Sequence, residues 1–167
     1  MRRKVYSALP HDATVLDLCC GVGYSTLPGA TGVDTSPDFL GMADRIHPES
    51  TFVRGNAETF GDSFAYDVVT IMFATHEMPQ EARQRVLANA ARIARRHVII
   101  VDIDPEFKLA LVHDEARRAQ SEAFLAGEPY VLDYLARIGD DVEACARYPP
   151  NTTFFYYHTY YYHCYSY

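Results

Sequence analysis

Apolar positions along the chain fall into two alternating patterns. The first is short runs: Val15 to Leu18, Thr31 to Asp34, and residues 51–54, 67–73 and 97–103. They are too brief for helices, and DVVTIMF at 67–73 is apolar enough to be buried on both faces, which predicts parallel strands. The second pattern is helical. Ser36-Pro37 predicts an N-cap followed by proline at the first helical position, with Phe39, Leu40, Met42, Ala43 and Ile46 as the apolar members. Pro79 opens another helix to about Arg95, with Val86, Leu87, Ala90, Ala91 and Ala94 at helical spacing. Strands alternating with helices predict an α/β domain built on a parallel sheet.

Turn residues refine this outline. Only residues 19–30 separate the first two strands, so the crossover helix there is expected to be little more than a turn, with Pro28 in its first turn. After Pro105, apolar residues at Leu109, Val112, Ala116, Ala119 and Ala123 predict a helix that stops at Gly127. Pro129 begins a further helix, which Gly139 is expected to end. The chain reads as one domain, with a lead-in over 1–13, a core over 14–138 and an aromatic-rich terminal strand segment over 148–167.

Chemistry concentrates in TVLDLCCGVG and the strand after it. The first strand runs into Gly21 and Gly23, a turn suited to residues without side chains, and the second ends on Asp34. In an open parallel sheet, ligands sit beyond the carboxyl ends of the strands where the strand order reverses, and an acid ending the second strand can accept both ribose hydroxyls. The pattern therefore predicts a nucleoside pocket.

Asp17, Gly21, Gly23 and Asp34, followed by GNAE at 55–58 and YDVVTIMFATHEMP at 66–79, resemble the class I S-adenosyl-L-methionine-dependent methyltransferases. The likeness runs from about residue 12 to about residue 138. It implies a Rossmann-like three-layer sandwich whose seven-stranded sheet is mostly parallel, with an antiparallel C-terminal strand or hairpin formed by the aromatic tail. It also implies S-adenosyl-L-methionine as cofactor, held by Asp17, Cys19, Cys20, Gly21, Gly23, Asp34, Thr35 and Phe73. Asn56, Ala57 and Glu58 would read the adenine edge. Two departures stand out: Cys19 replaces the usual first glycine, and Asp34 follows Gly21 by only 13 residues.

Methyl transfer from a sulfonium needs mainly positioning, with a general base where the acceptor is protonated in its ground state. His76 is the candidate base and Glu77 its orienter or second acid; capping of the following helix is the bland alternative.

Charge narrows the acceptor. A net charge of −7 argues against a nucleic-acid partner and for a small molecule. No stretch has the roughly 18 apolar residues of a membrane span, and no signal-peptide run follows the start, so a cytoplasmic protein is expected. Cys19, Cys20, Cys145 and Cys164 lack CxxC spacing and read as reduced; His158, His163 and Cys164 match no closed zinc pattern, so no metal is expected. The aromatic tail is a candidate homodimer surface. The competing functions are a catalytically degenerate nucleoside-binding or interaction module and a nicotinamide-dependent oxidoreductase. The oxidoreductase reading lacks its glycine pattern, since positions 19, 21 and 24 are Cys, Gly and Tyr.

Overall fold

The computed structural model describes residues 9–103, 129–146 and 153–159, together with Ser7 and Gly127; the last segment is described as backbone. Six strands form one sheet: β1 (Val15–Leu18), β2 (Thr31–Asp34), β3 (Thr51–Arg54), β4 (Tyr66–Met72), β5 (Ala94–Ile103) and β6 (Thr153–Thr159). Their order is β3-β2-β1-β4-β5-β6, and every pairing is parallel. The described helices are α1 (Pro37–Ile46), α2 (Gln80–Ile93) and α3 (Val131–Ala146), with one 3₁₀ turn at Thr75–Glu77. From β1 the chain winds outward to β3, then returns to β4 on the other side of β1. The order reverses between β1 and β4, and that is where an open sheet leaves a crevice.

Alternation along the strands divides the core between the faces. Leu16, Leu18, Val33, Val69, Ile71, Val98 and Ile100 pack against α2 and α3, meeting Val86, Leu87, Ala90, Tyr134 and Ile138. Val15, Val68, Met72, Ile99 and Val101 form the opposite cluster, with Leu9, Ala13 and Leu27 beside them. Each such side chain contributes about 1.5–3 kcal/mol through burial. The register of the two central strands is clasped where they begin. Asp67 Oδ2 accepts from Thr14 N–H (3.0 Å) and Thr14 Oγ1 (2.8 Å), while Thr14 Oγ1 accepts from Asp67 N–H (3.0 Å). These two donors, with Arg95 and Arg96 nearby, hold the Asp67 carboxyl below its ordinary pKa.

Ser36 caps α1 as expected, its Oγ accepting from Phe39 N–H at 3.3 Å, with Pro37 at the first helical position. Other expectations need correction. Residues 19–30 contain no helix: turns carry the chain from β1 to β2, with Gly23 O accepting from Thr26 N–H and Leu27 O from Ala30 N–H. Gly139 does not end a helix, because α3 continues to Ala146 and brings Asp141 and Cys145 into the interior. Strand β5 starts at Ala94, directly after α2, and not at residue 97. The terminal strand is not antiparallel. β6 pairs parallel to β5 from His97↔Thr153 to Ile103↔Thr159, as a strand does when it returns across a helical connection such as the one containing α3. Six strands are found among the described residues where the resemblance implied seven. The helix expected between Pro105 and Gly127 and the tail beyond Thr159, including His163 and Cys164, lie outside the described residues, as do most of residues 1–8.

Candidate functional site

At the carboxyl ends of β1 to β4 lies a cleft of about 550 Å³, within the range of small-molecule and cofactor sites. It gathers Cys19, Cys20, Gly21, Asp34, Thr35 and Asn56 with Ala57, Glu58, Phe73 and Glu77. Asp17, Gly23 and His76 are not among its lining residues. The sequence-predicted residues thus separate into those that face the cleft and those that stand behind it.

The glycine turn is built by three residues in the left-handed region: Cys19 (φ 59°), Gly21 (φ 56°) and Gly23 (φ 83°). Cys19 therefore keeps the backbone conformation for which glycine is the usual residue, at a cost of about 1–2 kcal/mol. At Gly23 the positive φ favours glycine, and a Cβ would lie 3.0 Å from the rings of both His47 and Phe52, which would have to shift. Asp17, at 1 % exposure, accepts from Thr26 Oγ1 and Thr70 Oγ1, each at 2.7 Å. It fastens the turn to β4 from behind and does not face the cleft.

Asp34 bridges turn and helix. One carboxylate oxygen accepts from Gly21 N–H and the other from Ser36 N–H, both at 2.9 Å. A carboxylate has about four acceptor positions, so ribose hydroxyls can share it with these amides. Farther along the cleft, Asn56 Oδ1 accepts from Glu58 N–H at 2.9 Å, shaping the turn after β3. Buried Asn89 on α2 holds that turn by donating to Ala57 O (2.8 Å) and Phe60 O (3.1 Å). Glu58 is ion-paired with Arg85. Phe73, where β4 ends, is left-handed at φ 58°, and such strain in a bulky residue is concentrated at functional sites.

Two thiols line the floor. Burial first, then the carboxylates of Asp34, Asp17 and Glu77, push the Cys19 thiol up to about 12. Burial, followed by Asp17 and Asp34, also raises Cys20. Both remain protonated at neutral pH, so neither is a nucleophile there.

The loop after β4 places His76 and Glu77 differently. Glu77 reaches the cleft with its side chain 63 % exposed, whereas His76 is 4 % exposed and packs edge-on against Tyr134 at 6.2 Å. Its Nδ1 is 2.6 Å from Asp102 Oδ1. Since an ionised carboxylate only accepts, Nδ1 carries the proton there. Asp102 also accepts from Thr75 N–H (2.9 Å), Thr75 Oγ1 and His76 N–H (3.2 Å), binding the whole 3₁₀ turn to the end of β5. His76 Nε2 lies 3.7 Å from Glu77 Oε1.

Behind this loop, fully buried Arg83 donates to Asp141 (2.7 Å), Asp133 (2.9 Å) and the carbonyl of Met78 (3.2 Å). Asp102, Arg83, Asp141 and Asn89 were missed as supports of the site. A signal existed for Asp102: it is a carboxylate inside the apolar run HVIIVDI. Polar residues of α2 and α3 read like any solvent-facing helix position. Among the described residues no cluster of His, Cys, Asp and Glu could hold a metal ion, and no helix is long and apolar enough to cross a membrane.

An open sheet with a switch-point cleft, a glycine turn and an acid closing β2 defines a Rossmann-like nucleoside-binding fold. A family profile described as a methyltransferase domain matches residues 15–97. An uncharacterised methyltransferase of Synechocystis sp. (strain PCC 6803) is 38% identical over 98 residues, covering 54% of this chain and 46% of that protein. Among solved structures, a candidate methyltransferase of Bacillus halodurans C-125 gives a TM-score of 0.57 at 22% identity, over 65% of this chain and 53% of the other. The magnesium protoporphyrin IX methyltransferase of Synechocystis PCC 6803, solved with bound S-adenosyl-L-homocysteine, gives 0.55 at 24% identity, over 65% and 54%. Over residues 15–97 the chain thus matches a methyltransferase domain, on a fold shared with solved methyltransferases. It spans about half the length of the relatives it matches.

Proposed function

We propose that this chain transfers a methyl group from S-adenosyl-L-methionine to a small-molecule acceptor. The observation that carries this reading is Asp34: it closes β2, is tied to the glycine turn through Gly21 N–H, and lines the same cleft as Asn56 and Ala57. The residues fit the cofactor. Gly21 has open space where a side chain would stand, Asp34 offers acceptors for ribose hydroxyls, and the Ala57 amide has no protein acceptor among the described residues. When bound, the cofactor supplies a methyl carbon already activated by its sulfonium.

The protein's own part is to hold the acceptor in line and arrange charge around it. Glu77 is the cleft-facing group of the catalytic pair. Buried His76 acts through it as a positioning residue, anchored by Asp102, rather than as a base in contact with substrate. The acidic composition, net charge −7, supports a small acceptor over a nucleic acid.

Calorimetric titration with S-adenosyl-L-methionine, S-adenosyl-L-homocysteine and NADH tests the reading. Micromolar binding of the two sulfur ligands but not NADH, lost in Asp34→Ala, is the expected result. Absence of binding by the sulfur ligands overturns it. Binding without methyl transfer to any acceptor leaves a nucleoside-binding module.

A further inference from the structure

We infer that the cleft takes an acceptor presenting an amine on an apolar body, and that Glu77, fixed from behind by His76 and Asp102, is the residue that selects it. The inference rests on the methyltransferase reading and adds the acceptor's chemistry.

It begins with the charge content of the cleft. Its described lining includes three carboxylates, Asp34, Glu58 and Glu77, and no lysine, arginine or histidine. Asp34 is engaged by backbone amides and Glu58 by Arg85. Glu77 extends from the loop after β4 and stands close enough to the glycine turn to help raise the Cys19 thiol. The lining of the same cleft also includes apolar Val22, Met72, Phe73, Ala74 and Met78. A carboxylate acceptor would bring like charge beside Glu77 with no described cation in the lining to offset it.

The reaction points the same way. An ammonium first gives up one proton, which passes by way of exposed Glu77 to water. The free nitrogen lone pair then forms the N–C bond as the S–C bond breaks, that bonding pair remaining on sulfur as a thioether. Positive charge thereby moves from sulfur to nitrogen. A carboxylate beside the nitrogen meets charge that grows as the transition state forms, which is the kind of interaction that accelerates a step.

Glu77 is the exposed member of a short turn whose other residues, Thr75 and His76, are buried, and such a group needs fixing to discriminate. Asp102 supplies that, holding Thr75 and His76 by four hydrogen bonds, with the His76 ring between it and Glu77. Tyr134 closes the other side of the ring and donates to Ile103 O at 2.8 Å.

The test uses aryl- and alkylamines with the carboxylic acids and alcohols of the same carbon skeletons. Each is titrated into the chain saturated with S-adenosyl-L-homocysteine, then assayed for label transfer from methyl-labelled S-adenosyl-L-methionine. Amines are expected to bind and accept label, and the matched acids to do neither. Glu77→Gln should weaken amine binding by about 10- to 100-fold, the range for losing a hydrogen bond to a charged group. S-adenosyl-L-homocysteine affinity should stay within about twofold, and Glu77→Asp should recover part of the loss. Asp102→Asn should raise KM for the amine more than it lowers kcat and should shift the His76 ring proton resonance. If Glu77→Gln weakens S-adenosyl-L-homocysteine as much as the amine, the carboxylate serves the cofactor's ammonium and the inference fails. Acids bound as well as amines, amine binding indifferent to Glu77→Gln, or no amine bound by a chain that does bind the nucleoside each overturn it too. Failure to bind the nucleoside at all is the separate failure of the methyltransferase reading.

Discussion

The cleft has two walls built in different ways. The wall over β1, β2 and β3 takes its cleft-facing shape from contacts between residues close in sequence, Gly21 to Asp34 spanning 13 positions, Ser36 to Asp34 two, and Glu58 to Asn56 two, with Thr70 and Asn89 bracing it from behind. The wall over β4 and β5 depends on distant pairs: Thr75 to Asp102 spans 27 positions, and Arg83 to Asp141 spans 58. Local contacts make a wall of backbone amides with small or short polar residues, rigid and readable as a motif. Distant contacts make a wall whose shape can change with the helices that support it.

The largest effect should come from breaking the distant wall. Arg83 is fully buried, and its partner Asp141 is 1 % exposed. Removing one member leaves the other as an uncompensated buried charge, so Arg83→Met or Asp141→Leu should lower unfolding free energy by about 3–5 kcal/mol in urea titration. The double variant Arg83→Met/Asp141→Leu should regain a good part of this, because an apolar pair needs no desolvated charge. Where folded protein persists, nucleoside affinity should change little. A large loss of affinity there would mean that the two walls are mechanically one.

Next comes the local wall. Asp34→Ala leaves Gly21 N–H and Ser36 N–H without their acceptor, and unfolding free energy should fall by about 1–3 kcal/mol. The larger consequence is functional: S-adenosyl-L-methionine affinity should drop on the order of 100-fold by calorimetry, as two ribose contacts and the turn geometry are lost together. Equal losses in both variants, of stability or of affinity, would erase the distinction between the walls.

This division also explains what could be read from residues alone. The limits of β1, β2 and β3, the Ser36 cap and the clustering of Asp34, Asn56 and Glu58 follow from local preferences and short spacings. The Gly139 stop went wrong because a glycine's weak helix propensity yields to burial of Asp141 and Cys145 on the far side of it. His76 was rightly placed on the loop after β4, yet which way its ring turns depends on Asp102, 26 residues later. Glu77, its neighbour, faces the cleft for the same reason: adjacent residues of a tight turn diverge, and only the tertiary anchor decides which goes inward. The parallel course of β6 depends on how its connection crosses the sheet, and composition is silent on that.

Cys19 offers a smaller, sharper test of the local wall. At φ 59° it occupies a left-handed conformation that glycine adopts without a Cβ penalty, so Cys19→Gly should stabilise the fold by about 1 kcal/mol after the extra chain entropy of glycine is subtracted. Nucleoside affinity should hold or improve. The pH profile gives an independent readout. Folding favours the neutral thiol, whose pKa rises from 9.0 to about 12. Above pH 9 the unfolded chain loses this proton first, so stability should fall as pH climbs from about 9 to about 12, with its full value present below that window. Cys19→Gly should flatten the decline, leaving the part due to Cys20 and Cys145, whose thiols are also raised by burial. An unchanged alkaline limb would show that the thiol is not sensing burial beside Asp34 and Asp17.

The smallest expected effect bears on the helix that supports the distant wall. Gly139 lies inside α3, and a Cβ added there would meet nothing within 4 Å. Its φ is not positive, so alanine can adopt the same backbone without strain. Gly139→Ala should therefore stabilise the protein by about 0.4–1 kcal/mol, by lowering the entropy of the unfolded chain and raising helix propensity. If Gly139 instead ended the helix in a left-handed cap, the same substitution would destabilise it, because a Cβ is disfavoured there. The sign of the shift in urea midpoint separates the two. A stabilising result also has a consequence at the cleft: a continuous α3 carries Asp141 to Arg83, Arg83 holds the Met78 carbonyl, and the turn bearing Glu77 is held from its far end.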